Sequence, residues 1–148
     1  NSFTHFLKKD GLNSNNATQI EFDKDGNVWI GTRVAERYDP DPKKRFGKGG
    51  VNKIIGNKII SFPEIEGFND GDVYQIYRDK SDNIWIATVK NGVYRYDGKA
   101  FKNYKVPISI MGMMEDRKGN LWLGGAGGLY RINQNGEVIN VTTKGPWE

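Results

Sequence analysis

Hydrophobic and polar residues alternate in short stretches along most of the chain, and Gly, Asn and Asp stand between the stretches. A period of two places successive side chains on opposite faces of a β-strand. Residues 73–79, 84–88, 92–96 and 100–104 are short segments rich in the β-branched and aromatic residues that favour strands. The pattern therefore predicts short strands joined by tight turns, with no helices of several turns.

The same four-strand pattern occurs three times. Residues 23–32, 79–88 and 116–125 align, and each segment holds one tryptophan after an Asn–aliphatic pair. One predicted strand precedes each segment and two follow it. Units of about 40 residues with four strands and one tryptophan are typical of β-propeller blades. We therefore predict an all-β fold of three complete four-stranded antiparallel blades, at about residues 17–62, 70–106 and 107–142.

A single blade leaves both faces of its sheet open to water, so blades stack face to face. Trp29, Trp85 and Trp122 are predicted to lie buried between blades, on the second strand of each blade. Residues 1–12 are predicted to hold one extra strand, at 2–7, that forms the outer strand of a preceding or neighbouring blade. Closed propellers need about four to eight blades. We therefore expect a partial propeller that belongs to a longer array or self-associates.

Composition narrows the class of protein. Charged residues are 27% and hydrophobic residues 36% of 148 residues, as in a globular domain, and no apolar run approaches the roughly 20 residues of a membrane span. The absence of cysteine excludes disulfides and thiolate metal sites. The net charge of +4 comes from lysines and arginines scattered through every unit, without a basic stripe of stacking aromatics. We expect neither nucleic-acid binding nor direct membrane insertion.

The repeats resemble those of the two-component regulator propeller family. The motif, an Asn–aliphatic–Trp–aliphatic segment followed by Gly–Leu–x–Arg–Tyr, is matched at 83–97 and 120–132, and the first unit departs from it at an insertion before Gly50. The resemblance implies an exported propeller that senses a ligand, often as the periplasmic part of a sensor protein in glycan-degrading bacteria. It thus implies a periplasmic or extracellular location and a role in signal transduction and carbohydrate sensing.

Because consecutive strands run antiparallel, the turns that join the first strand to the second and the third to the fourth lie at one end of a blade. The connections from the second strand to the third, and from one blade to the next, lie at the opposite end. The second set is long and irregular, with an insertion over residues 33–49. Variable loops on a rigid scaffold often form a recognition surface. We predict that an oligosaccharide or another small anionic or polar ligand binds there. The candidate residues are Arg33, Arg37, Tyr38, Lys44, Arg45, Phe46, Phe68, Asp70, Asp72, Lys90 and Asn91.

Catalytic and metal-binding patterns are weak. The segment from Asp23 to Asn27 resembles the start of a calcium loop, but Val34 stands where that loop needs a bidentate Glu. The only histidine, His5, lies outside the repeats, and no nucleophile motif is present. We predict no catalytic residue, metal or cofactor. Two alternatives to ligand sensing stay open, namely a protein–protein interaction scaffold and an enzyme similar to the streptogramin lyases, which rely on a histidine that no repeat supplies here.

Overall fold

The computed structural model describes residues 3–33, 40–41, 49–62, 72–89 and 91–142. These residues form a short 3-10 helix at Lys8–Asp10, no α-helix, and twelve strands. The strands are β1 Asn16–Phe22, β2 Val28–Arg33, β3 Gly50–Ile55, β4 Lys58–Phe62, β5 Val73–Arg78, β6 Ile84–Thr88, β7 Val93–Tyr96, β8 Phe101–Tyr104, β9 Ser109–Glu115, β10 Leu121–Ala126, β11 Gly128–Ile132 and β12 Val138–Asn140. They build three four-stranded antiparallel sheets in sequence order, which confirms the predicted all-β blade architecture.

We call the three sheets blades 1, 2 and 3. The end of each blade that carries its first and last hairpin turns is called the turn end, and the opposite end is called the link end. In every blade the second strand pairs with both the first and the third. The register of the first strand is interrupted once near the link end of each blade. Such bulges increase local twist and turn a side chain out of the regular alternation.

The first hairpin turn has the same geometry in all three blades. In blade 1 the backbone N–H of Asp23 donates to Asn27 at 3.0 Å, and that of Gly26 donates to Asp23 at 3.0 Å. The penultimate turn residue has a positive φ, which Gly26 and Gly119 adopt without strain. Asp82 takes the same conformation in blade 2, at φ 63°, because a short polar side chain tolerates the left-handed region better than most.

Two separate cores lie between the blades. Trp29 and Val51 of blade 1 pack against Val73, Ile76 and other aliphatic residues on the facing side of blade 2. The opposite side of blade 2 packs against blade 3 through a second cluster that includes Trp85, Val93 and Tyr104. Each blade thus stabilises its neighbour by removing one apolar sheet face from water.

A close approach of the Val73 side chain to the backbone at Gly31 helps to join blades 1 and 2. A Cβ atom on Gly31 would lie 2.7 Å from a methyl carbon of Val73, so only glycine fits without a shift. The nearby hydroxyl of Thr18 lies 3.1 Å from the carbonyl oxygen of Gly31 and 2.8 Å from that of Val73. This hydroxyl therefore connects the inner strands of the two blades.

The structure differs from the sequence predictions at both ends of the stack. Trp29 is 0% exposed and Trp85 is 5% exposed, whereas Trp122 is only half-buried because no described sheet packs against its side of blade 3. Residues 3–7 form no strand, since none of the described strands pairs with them. Phe6 instead packs with Leu12 against the outer side of blade 1. Pairing of this segment with a blade outside the three stays a prediction.

Candidate functional site

The link end of blades 1 and 2 presents one aromatic–cation pair. The guanidinium carbon of Arg33, at the end of β2, lies 4.6 Å from the ring centroid of Tyr74 in β5. Tyr74 occupies the bulge of its inner strand, so its ring leaves the regular alternation of the sheet. Both side chains are half-buried. A stacked guanidinium keeps its N–H edges free for a carboxylate, phosphate or sugar hydroxyl.

The other predicted ligand-binding residues fall into two groups. Asp72 is 2% exposed, so a ligand would not reach it without rearrangement, whereas Asn91 is half-buried and donates its backbone N–H to the Thr88 hydroxyl at 3.1 Å. Arg33 and Asn91 are therefore the described candidates that solvent reaches. The remaining candidates lie outside the described residues, namely Arg37, Tyr38, Lys44, Arg45, Phe46, Phe68, Asp70 and Lys90.

A buried asparagine fixes the chain that leads into blade 1 at this end. Asn52 is 0% exposed, and its side-chain amide donates to the carbonyl of Gly11 at 3.2 Å. Its side-chain oxygen accepts the backbone N–H of Asn13 at 3.0 Å. The hydroxyl of Ser61 donates to the side-chain oxygen of Asn13. These bonds satisfy the buried amide and hold residues 11–16 in place beside the link end.

The turn end carries the same polar network three times. In blade 2 the carboxylate of Asp79 accepts the backbone N–H groups of Ser81 and Asn83, each at 2.9 Å, the Asn83 amide at 2.9 Å, and the indole N–H of Trp85 at 2.7 Å. Asp116 and Asp23 hold Trp122 and Trp29 in the same way, at 2.9 and 3.1 Å. The Asp–Asn–Trp pattern of the repeat is thus a structural network that orients each tryptophan.

These hydrogen bonds change the acidity of two of the carboxyl groups. Burial disfavours ionisation of Asp23, but hydrogen bonds from Lys53, Asn27 and Trp29 outweigh it and hold the pKa of Asp23 well below its usual value. Hydrogen bonds from Asn120 and Trp122 lower the pKa of Asp116 in the same direction. Both carboxylates are therefore ionised throughout the physiological range and act as acceptors.

A cation on the third strand of each blade lies over the tryptophan. Lys53, Arg95 and Arg131 stand 5.2, 5.8 and 5.7 Å from the ring centroids of Trp29, Trp85 and Trp122. Only the first of these cations forms an ion pair among the described residues, since the Lys53 ammonium lies 2.7 Å from the Asp23 carboxylate. The Nε atoms of Arg95 and Arg131 are buried and make no hydrogen bond.

The space above these cations differs between the two blade interfaces. Between blades 1 and 2, Phe62 stacks on Trp29 at 5.4 Å, and Tyr96 and Phe101 pack against the same group. Between blades 2 and 3, Ile132 and Val138 occupy the positions that correspond to Tyr96 and Phe101. A cleft of about 580 Å³ opens there at the turn end. Its lining includes Trp85, Arg95, Tyr104, Glu115, Arg117 and Lys118.

Sequence reasoning missed this cleft because it looked for function in long connections, and the turn end has only short ones. The available signal was a pair of like charges on neighbouring strands. Arg95 and Lys102 are direct cross-strand partners, whereas the corresponding partners are Lys53 with Ile60 and Arg131 with Ile139. Like charges directly opposite each other destabilise a sheet. Blade 2 therefore departs from its sister blades at this position.

The described residues give no support for catalysis or for a metal. Among them, no group of three or more His, Cys, Asp or Glu side chains could hold an ion. His5 is exposed and lies outside both blade interfaces. In the part of the chain that the structure covers, no helix is long and apolar enough to cross a membrane.

Comparison with known families accounts for the repeat. The model of the family "two component regulator propeller" matches residues 11–33, 67–90 and 106–127. Each match contains the first two strands of one blade and the Asp–Asn–Trp turn between them. These three segments are two-component regulator propeller repeats. No curated protein matches the sequence significantly.

Solved structures resemble this propeller segment over most of its length. The extracellular domain of the hybrid two component system BT3049 from B. thetaiotaomicron matches 94% of the chain with a TM-score of 0.72 at 18% identity. The extracellular domain of BT4673 from the same organism matches 93% with a TM-score of 0.71 at 18% identity. A virginiamycin B lyase from Staphylococcus aureus, with quinupristin, matches 88% with a TM-score of 0.63 at 18% identity.

The chain spans 20% and 17% of the two extracellular domains and 42% of the lyase. At these identities the likeness shows the blade fold alone. Activities, substrates and partners of the three proteins are theirs and are not transferred with the fold.

Proposed function

We propose that this two-component regulator propeller segment recognises a ligand as part of an exported sensor protein. The match of all three repeats to this family is the observation that carries the proposal. The two extracellular domains that resemble the chain support a location in the periplasm or outside the cell. The role is binding, and the chemistry of signalling belongs to other parts of such a sensor.

The proposed ligand face is the link end of blades 1 and 2. Arg33 and Tyr74 lie there on two different blades, and the insertion of blade 1 begins at Arg33. An arginine stacked on tyrosine combines fixed N–H donors with an aromatic surface, which suits an acidic or hydroxyl-rich ligand such as an oligosaccharide. A ligand held across two blades would also resist their separation.

Titration calorimetry against a panel of neutral and acidic oligosaccharides tests this face. The first variant is Arg33→Gln, and the matched control is Arg78→Gln, because Arg78 lies at the turn end and forms a 3.8 Å ion pair with Asp82 there. A ligand bound at the link end should lose about tenfold in affinity with Arg33→Gln and remain unaffected by Arg78→Gln. Deletion of residues 37–48 should weaken binding further. Full affinity in both the Arg33 variant and the deletion would contradict the proposed face.

We further propose that the role is not enzymatic. The described residues place no nucleophile beside a base, and the only histidine is exposed away from both interfaces. Turnover of a bound oligosaccharide would contradict this, and it is checked by analysing the ligand by mass spectrometry after prolonged incubation with the protein.

Association with further blades is a second candidate function, and the open sheet faces favour it. Ile20 and Phe22 on the outer side of blade 1 are 58% and 54% exposed, and Met114 on the outer side of blade 3 is 62% exposed. The counterparts of Ile20, which are Ile76 in blade 2 and Met113 in blade 3, are 1% and 7% exposed because a neighbouring blade covers them. A second copy, docking its blade 1 on blade 3, would repeat the same contact. Light scattering at micromolar concentration should then show a mass above 16.8 kDa, which Met114→Glu reduces. A stable monomer would contradict self-association.

A further inference from the structure

The cleft between blades 2 and 3 has the chemistry of an anion site. Four cationic residues, Lys80, Arg95, Arg117 and Lys118, line it together with two carboxylates. Both carboxylates are already engaged. The Asp79 carboxylate accepts hydrogen bonds from its own turn and from the Trp85 indole, as described above. The Glu115 carboxylate accepts the backbone N–H of Lys80 at 2.9 Å. The four cations outnumber the two carboxylates, so the net charge of the lining is positive.

Arg95 is a cation of this cleft to which the described residues offer no acceptor. No carboxylate among the described residues lies within ion-pair distance of it, and its Nε atom is buried without a hydrogen bond. The pKa of Asp97 is lowered mainly by the backbone N–H groups of Ala100 and Lys99, which its carboxylate accepts at 2.9 Å each. The charge of Arg95 lowers this pKa less, from a longer distance. A half-buried guanidinium without a partner is unfavourable unless an anion compensates it.

Lys102 adds a second charge beside Arg95. It is the direct cross-strand partner of Arg95, and its ammonium lies 5.0 Å from the ring centroid of Tyr104, which lines the cleft. Two adjacent cations repel each other across a strand pair, so the arrangement lowers stability in the absence of a ligand. An anion that contacts both side chains would replace that repulsion by two attractive contacts.

The floor of the cleft suits a small ligand. Leu121 and Ile132 are 3% and 2% exposed and form an apolar base, while Trp85 and Tyr104 form an aromatic wall. The short turns that surround the cleft hold their shape through the Asp79 and Asp116 networks. A rigid cation-rich cleft with an apolar base fits the oxyanion group of a small organic molecule.

From these observations we infer that the cleft between blades 2 and 3 binds the oxyanion group of a small molecule, such as a phosphate ester, through Arg95 and Lys102. This site lies at the turn end, opposite the proposed ligand face. It rests on contacts that are independent of Arg33 and Tyr74. The two proposals can therefore fail separately.

The test is ¹H–¹⁵N NMR of the full chain at constant ionic strength, following the Nε–H of Arg95 and the indole N–H of Trp85. The probes are inorganic phosphate and glucose 6-phosphate, with glucose as the neutral control, each up to about 10 mM. We expect saturable shifts of both signals with at least one phosphate probe and none with glucose. Stronger binding of glucose 6-phosphate than of inorganic phosphate identifies an organic ester as the ligand class, and equal binding identifies a free anion.

Matched variants complete the experiment. Arg95→Gln should weaken the phosphate affinity by about tenfold and Lys102→Gln by severalfold, because each removes one charged donor. Arg131→Gln alters the corresponding arginine of blade 3, away from the cleft, and should leave the affinity unchanged within twofold. Lys102 is exposed, so its variant tests the site even where Arg95→Gln perturbs the fold. Absence of shifts with both phosphates, or equal losses in the Arg95 and Arg131 variants, would overturn the inference.

Discussion

The two blade interfaces are built from the same repeat but end differently at the turn end. Between blades 1 and 2, aromatic rings cover Trp29, and the cation on the third strand is paired with Asp23. Between blades 2 and 3, smaller side chains leave a cleft over Trp85, and the corresponding arginine, Arg95, has no ion-pair partner among the described residues. One interface is thus completed by the protein itself, and the other leaves room and charge for a ligand.

The comparison shows how a repeat protein can acquire a site without changing its backbone. The tryptophan, its aspartate and the cation above it are placed by the repeat in all three blades. Replacing the positions of Tyr96 and Phe101 by Ile132 and Val138 removes volume, and placing Lys102 opposite Arg95 adds charge. A few side chains on the shared blade backbone therefore decide whether this end can bind a ligand.

The largest expected effect is on stability and concerns the tryptophans. Trp29→Ala should lower the free energy of unfolding by about 3–5 kcal/mol, because it removes a fully buried ring that stacks on Phe62. Trp122→Ala should lower it by less than half as much, since Trp122 is half-buried. Urea denaturation followed by circular dichroism measures both. Equal losses would show that blade 3 is covered by a partner in solution.

The second prediction opens the filled interface. The double variant Tyr96→Ile with Phe101→Val gives blade 2 the residues of blade 3 and should lower the free energy of unfolding by about 2 kcal/mol through lost aromatic contacts. Its counterpart, Ile132→Tyr with Val138→Phe, should fill the cleft at little cost and abolish the NMR response to phosphate. A phosphate response that survives in the filled variant would place the anion elsewhere.

The third prediction contrasts the paired and unpaired cations. Lys53→Met should destabilise the fold by about 1–3 kcal/mol, because the Asp23 carboxylate keeps its charge but loses the ammonium at 2.7 Å. Arg95→Met should be neutral within about 0.5 kcal/mol, since it removes an unpaired donor and the repulsion with Lys102. Thermal unfolding in phosphate-free buffer tests both. A large loss for Arg95→Met would reveal a structural partner for this arginine.

The smallest effect is a pH dependence at the filled interface. The Asp23 pKa is lower in the folded than in the unfolded chain, so the unfolded state binds a proton first as the pH falls. The contribution of Asp23 to stability is complete above its ordinary pKa of 3.8 and is lost progressively below it. Acid titration of the free energy of unfolding should therefore show a shallower decline below pH 4 for Asp23→Asn than for the wild type. Identical slopes would contradict the role of the Lys53–Asp23 pair.

Local pattern determined the fold of this chain. The alternation of apolar and polar residues, the Asp–Asn turns and the regular spacing of three tryptophans predicted blades whose strands the structure reproduces. The family followed from the same residues and is confirmed. These features are local because a strand and a hairpin turn are specified by residues close together in sequence.

Only the tertiary structure decided what lies between the blades. The sequence placed Trp122 in the same class as Trp29 and Trp85, but burial depends on whether a neighbouring sheet covers the ring. The sequence also gave no reason to prefer Arg95 over Lys53 as a ligand-binding cation. Only the folded structure shows that Lys53 pairs with Asp23, that Phe62 covers Trp29 beside it, and that Arg95 lies opposite Lys102. Repetition fixes the frame, whereas the contacts between residues distant in sequence fix where a ligand can enter.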